Sequence, residues 1–297
     1  MKVSVLIPTF RRPDGFRRAA YSVFAQQGVA EIELIAVDNS PEGAALAAFK
    51  ELETRTPISF RWAHEPRPGV ANARNAALAL ASGDLVAWLD DDEEAPAHWL
   101  AALIAVQEST GAQSVFGPVR AKAGGRYKNF FERLYSRPGP SHSGRIDCAY
   151  GIGNSLQPRA MFSEAAPFNA SANQTGGEDD QLFAAWRQAG AAFAWAANAW
   201  VIEHVAPERT RIMHGVKRAF AYGQGPCELA WAARDYLGLA RHMLIGAGQT
   251  LVFGLLSAIL LLLRRDSGLI ALDRAARGAG KVFWFLEQRF YGEAQPA

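Results

Sequence analysis

Within its first 90 residues the chain alternates three times between short apolar runs and stretches of helical period, and few folds accommodate that order. Residues 3–7 form a β-branched run stopped by Pro8 and read as a strand; 15–27, closed by Gly28, read as a helix. A second run at 32–37 is followed by Ser40 as N-cap and Pro41 at the first helical position, which predicts a helix to about residue 53. Ile58, Phe60 and Trp62 alternate as in a half-buried strand, and a helix over 70–81 closed by Gly83 leads to a strand over 85–89. Strands joined through helices pair in parallel, so the expected class is α/β, a sheet flanked by helices.

Open α/β sheets bind ligands beyond the carboxyl ends of their strands. Those ends are Pro8, Thr9, Phe10 and Arg11 after the first strand, Asp38, Asn39 and Ser40 after the second, and Asp90, Asp91 and Asp92 after the strand over 85–89. Four carboxylates thus gather on one rim. With 31 Lys and Arg against 29 Asp and Glu, the net charge of +2 is too small for a nucleic-acid binder, which needs many cations on one surface. Cys148 and Cys227 form no CxxC or zinc pattern, and the start of the chain is too short in apolar residues for a signal peptide, so a reducing, cytosolic setting is expected.

Each candidate group has a chemical and a bland reading. Asp90, Asp91 and Asp92 suit a hard cation such as Mg²⁺ or Mn²⁺, yet Asp92, Glu93 and Glu94 before Pro96 also suit the first turn of a helix. A helix is expected from Gly176 to about residue 189. In it Asp179 precedes Leu182, Phe183 and Trp186 by three, four and seven positions, which turns it inward, raises its pKa and suits a general base; capping the helix is the alternative. His204 is either a core histidine or a metal ligand, and Arg74, among alanines on its helix with Asn75, either meets a diphosphate or is a solvated charge. The stretch 122–145, rich in Gly, Pro and basic residues (Arg126, Lys128, Arg133, Arg137), reads as a long loop or lid. No GxxxxGK[ST], HExxH or GxSxG is present, and Gly151, Ile152, Gly153 lacks the third glycine and the position of a dinucleotide fingerprint.

Taken together, residues 4–12, 37–40, 69–75, 89–93 and 176–183 resemble, in order and spacing, inverting family 2 glycosyltransferases of GT-A fold over about residues 1–210. The remainder, 211–297, resembles more loosely the bacterial members that build exopolysaccharides, succinoglycan-type enzymes among them. The resemblance implies transfer of a sugar from a nucleotide-sugar donor, a UDP-sugar by family habit, to a hydroxyl of a glycan or lipid-linked acceptor. It implies that Pro8, Thr9 and Phe10 line the nucleobase pocket, Asp38 holds the base edge and Arg74 approaches the diphosphate. Asp90 would contact ribose or donor sugar with Asp91 beside it, Asp92 and His204 would hold the metal, and Asp179 would be the catalytic base supported by Glu178. Arg11 stands where many members have Asn. A non-catalytic sugar-nucleotide-binding module, or a sugar-1-phosphate nucleotidyltransferase on a related sheet, would lack Asp92 and Asp179 or carry a Gly-rich loop after the first strand.

From residue 211 the pattern is helical, and 243–263 carries no charge although Gly246, Gly248, Gln249, Thr250, Gly254 and Ser257 dilute it. Arg234 and Arg241 precede it, whereas Arg264, Arg265, Arg274, Arg277 and Lys281 follow, a bias opposite to that of a single span with a cytosolic catalytic domain. Phe283, Trp284, Phe285, Phe290 and Tyr291 follow the basic residues, which suits a headgroup layer. The expectation is a membrane-associated helical region lying in the plane of the membrane or re-entering it, at the cytosolic face of a bacterial inner membrane, with a true span and a buried soluble helix or oligomer interface as the alternatives.

Overall fold

The computed structural model describes residues 1–164, 166–173 and 177–286, and the described residues divide into two compact units, 1–121 with 135–204, and 122–134 with 205–286. Gly176, Phe290 and Tyr291 lie outside the described residues.

In the first unit β1 (Lys2–Thr9), α1 (Pro13–Phe24), β2 (Glu31–Asp38), α2 (Leu46–Glu53), β3 (Ser59–His64), α3 (Val70–Leu80) and β4 (Leu85–Trp88) follow the predicted alternation. After β5 (Glu93–Glu94) come α4 (Trp99–Thr110), β6 (Ser114–Phe116) and β7 (Val119–Lys122). β8 (Gly144–Ile146), β9 (Ser155–Pro158), α6 (Glu178–Gln188), β10 (Phe193–Trp195) and β11 (Val201–His204) complete the series, and α5 (Lys128–Tyr135), between β7 and β8 in the chain, falls almost wholly in the second unit. The main sheet has eight strands in the order β3-β2-β1-β4-β9-β6-β10-β8; β1 to β4 are mutually parallel, whereas β9 runs antiparallel to both β4 and β6. The sheet is therefore mixed. β5, β11 and β7 form a separate three-stranded sheet.

Side chains alternate across a strand, so β1 and β2 feed two cores. Val5, Ile7, Leu34 and Ala36 pack with α1, α2 and α4 on one face, and Leu6, Ile35 and Val37 pack with α3 and α6 on the other. Two expectations are corrected. The helix after β2 starts at Leu46 rather than Pro41, because Asp38 and Ser40 capture the backbone N–H groups of Ala45 and Ala44 in a turn. The stretch 122–145 is not one loop: it holds α5 and β8.

The second unit contains α7 (Ile212–Ala232), α8 (Tyr236–Leu262) and α9 (Ser267–Val282), with α9 packed on both others. Glycines permit the close approach. A Cβ at Gly246 would lie 2.7 Å from the Gly278 carbonyl oxygen, and one at Gly223 would overlap the Arg277 carbonyl. α8 is long and apolar enough to cross a membrane by length and composition. Its polar residues turn toward α9: Thr250 Oγ1 donates to Ala275 O at 3.4 Å as well as to Gly246 O of its own helix at 2.8 Å, Ser257 Oγ donates to Gly268 O at 2.9 Å, and Gln249 Oε1 accepts from Lys281 Nζ at 2.7 Å. Its outer face is apolar, with Leu251 and Leu255 each 68% exposed. Two of the three basic residues of α9 have partners within the unit. Arg277 bonds Asp273 at 2.8 Å and Lys281 bonds Gln249, leaving Arg274 exposed over the Phe253 ring.

Candidate active site

The parallel strands β1 and β4 lie side by side, so the residues just beyond them share one rim. Asp91, 7% exposed, turns back toward β1: it accepts from Thr9 Oγ1 at 2.7 Å and from the Phe10 N–H at 3.3 Å. Arg12 NH1 lies 3.0 Å from Asp91 Oδ1 and 2.8 Å from Asp92 Oδ2, so one guanidinium spans two of the three acids. Arg11 adopts a left-handed backbone, φ 55°, which sends its side chain away from the acids and onto Glu42 at 2.7 Å. Burial pushes the Asp91 carboxyl up to about 6 despite the pull of Arg12. Asp90 is raised by burial against the pull of Arg74, and Glu93 lies well above its ordinary range because it is buried next to Asp90.

The loop before β9 joins this rim to α6. Its Ile152 N–H donates to Asp179 Oδ2 at 3.1 Å, and a Cβ at Gly153 would overlap Asp90 Oδ2. Asp90 and Asp179, far apart in sequence, thus face the same short stretch of backbone. Asp179 shares the angular stripe of Leu182, Phe183 and Trp186 but sits in the first turn of α6, where it is half-buried. The deeply buried acid is Glu178, 5% exposed and ion-paired with Arg74. Burial raises the Glu178 carboxyl, with Arg74 drawing it back.

Three residues singled out in the sequence are held by partners within the protein. Asp38 is fully buried and accepts from Ser40 N at 2.9 Å, Ser40 Oγ at 2.6 Å and Ala45 N at 2.6 Å, so its carboxylate shapes the β2–α2 turn instead of facing a base edge. Arg74, 7% exposed, is no solvated charge: it pairs with Glu178 and stands close enough to Asp90 to pull on its carboxyl. His204 donates its backbone N–H to the Asp92 carbonyl at 2.8 Å, while its ring Nε2 lies 2.8 Å from Glu94 Oε2. A carboxylate only accepts, so Nε2 carries the proton in this pair.

Among the described residues no three His, Cys, Asp or Glu side chains form a ready-made metal site. A Mg²⁺ or Mn²⁺ shared with a diphosphate needs only one or two protein carboxylates, and Asp92 with Asp90 meets that demand. Arg12 already holds positive charge against Asp92. Sequence pattern assigns no site role to Arg12, and reads Glu93 as a helix-start acid, Arg137 as part of a basic loop and Gly151 and Gly153 as an incomplete dinucleotide motif. For Arg12 a signal existed: two arginines directly after the first strand facing a run of acids.

A mixed sheet with an acidic rim at the carboxyl ends of its strands, approached by a carboxylate at a helix start, places the ligand site of an α/β enzyme on that rim. The family model for glycosyl transferase family 2 matches residues 4–165, and the chain belongs to that family; it is a sugar-transferring enzyme. The matched region contains Asp90, Asp91 and Asp92 and ends before Asp179. The succinoglycan biosynthesis protein ExoM of Rhizobium meliloti (strain 1021) is 31% identical over 234 residues, covering 75% of this chain and 74% of that protein. The mannosyltransferase PcManGT from Pyrobaculum calidifontis, solved with GDP-Man and Mn²⁺, is 17% identical with a TM-score of 0.63 over 96% of this chain and 88% of its own. Staphylococcus aureus TarS 1–349 is 15% identical with a TM-score of 0.54, over 74% of this chain and 64% of that one. Both structures share the GT-A fold seen here.

Proposed function

We propose that this chain moves a sugar, with inversion, from a nucleotide-sugar donor to a hydroxyl of a glycan or lipid-linked acceptor in the synthesis of a bacterial exopolysaccharide. The observation that carries this reading is the loop over 150–154, which turns Gly153 to Asp90 and the Ile152 N–H to Asp179. In the reaction the acceptor oxygen attacks the anomeric carbon as the bond to the diphosphate breaks, and Asp179 takes the hydroxyl proton. Attack opposite the leaving group inverts the configuration. Pro8, Thr9 and Phe10 border the donor end of the rim, and Asp90 and Asp91 complete it. Asp92 would hold the divalent cation, which neutralises charge on the departing diphosphate when bound. The Mn²⁺ and GDP-Man of the mannosyltransferase neighbour and the succinoglycan assignment of the ExoM relative support the donor class and the pathway class. A UDP-sugar donor is the family-level choice. The test is a panel of sugar nucleotides with Mn²⁺, scored for nucleoside diphosphate release and for the anomeric configuration of the product; release of pyrophosphate, or retention, would overturn the reading.

The second unit, proposed here as a separate functional region, attaches the enzyme to the cytosolic face of the inner membrane through the outer face of α8, where a lipid-linked acceptor would be concentrated. Burying a leucine contributes on the order of 1.5–3 kcal/mol, so Leu251→Glu with Leu255→Glu is expected to move the protein from the membrane pellet to the soluble fraction. Sugar-nucleotide hydrolysis should persist. Wild-type protein that purifies as a monomer without detergent would exclude the attachment, and a tag after residue 297 cleaved only from outside the cytosol would make α8 a span.

A further inference from the structure

We propose that Arg137 is a positioning residue for sugar transfer, acting through the loop that holds Asp179; this rests on the reading of Asp179 as the base. Its backbone is anchored to β7, with the Arg137 N–H donating to Val119 O at 2.8 Å and Val119 N–H to Arg137 O at 3.0 Å. From that anchor NH1 donates to Tyr150 O at 2.5 Å, NH2 to Gly153 O at 3.4 Å, and NH2 lies 3.8 Å from Glu93 Oε1. The two carbonyls flank Ile152, whose N–H reaches Asp179 Oδ2 at 3.1 Å. One planar fork therefore sets the direction of the peptide that holds the base and ties it to the carboxylate directly after the acid run.

The glycines at 151 and 153 complete the arrangement. Gly151 has φ +82°, and a Cβ there would stand 2.7 Å from Arg137 NH1; at Gly153 a Cβ would collide with Asp90. The backbone thus passes between the guanidinium and Asp90 with no room for a side chain at either position. A lysine at 137 would keep the charge but could not serve two carbonyls and Glu93 in one plane. Because misplacement of about 1 Å can cost roughly 100-fold in rate, loss of the fork should be felt in turnover rather than in donor affinity.

The test is a double-mutant cycle on the full-length enzyme with the sugar nucleotide that gives the fastest nucleoside diphosphate release in the panel above. Arg137→Lys is expected to lower kcat by ~10-fold or more with the donor KM within ~3-fold, and to speed hydrogen exchange at the Ile152 amide. In an Asp179→Asn background the same substitution should have almost no further effect on kcat, since both act through one group. If Arg137→Lys does not fold, Arg137→Gln serves in the cycle. Additive losses would mark Arg137 as merely structural, and a weakened donor KM would make it a donor contact; either overturns the proposal. If Asp179→Asn alone keeps kcat near wild type, the base assignment fails and the proposal falls with it, a result distinct from additivity.

Discussion

Asp179→Asn should bind the sugar nucleotide almost normally and transfer sugar at least ~100-fold more slowly, the low end for a lost general base. The substitution keeps the volume and the acceptor oxygen toward the Ile152 N–H, so the loop over 150–154 stays in place. What disappears is the capacity to take a proton in the transition state, which lowers kcat without touching ground-state binding. Steady-state kinetics with separate donor titration would decide. Retained turnover would move the base role to Glu178 or Asp180, and the two are not equal candidates: Glu178 is tied to Arg74, whereas Asp180 is exposed.

Asp92→Ala should abolish the Mn²⁺-dependent part of donor affinity and leave the fold intact. The side chain is 14% exposed and bonded to Arg12 at 2.8 Å, and Arg12 keeps Asp91 when Asp92 is removed, so no buried cation is left alone. The expected loss in donor affinity with Mn²⁺ is at least ~10-fold, and calorimetry with and without the ion reads it directly. Unchanged affinity in the presence of Mn²⁺ would remove Asp92 from the metal assignment. Circular dichroism on the same sample checks the fold.

The first four strands were legible because β1, β2 and β4 are buried on both faces and read as short, mainly apolar runs, whereas half-buried β3 shows as the alternation of Ile58, Phe60 and Trp62. β9 was not, since Ser155 to Pro158 contains no β-branched residue and is a strand only through its neighbours β4 and β6. That one hidden strand explains most of what was missed at the site. The loop preceding it carries Gly151 and Gly153, which local pattern reading dismissed as an incomplete dinucleotide motif, and only tertiary pairing brings them beside Asp90 and Asp179. Which residues lie near the rim was readable from strand ends; where their side chains point was not. Asp38 and Arg74 sit at the positions foreseen and turn inward, each satisfied by a partner that a one-dimensional reading does not supply.

The inward turn of the α8 polar groups has a thermodynamic corollary. Thr250, Ser257 and Gln249 keep their partners on the same three-helix unit whatever surrounds it. Exchanging water for an oily phase at the outer face then opens no hydrogen bond and orders no new chain, so the free energy of that exchange scales with surface area alone. Such a face partitions reversibly as a preformed body, and its affinity can be graded one side chain at a time, which a helix that must fold as it inserts does not allow.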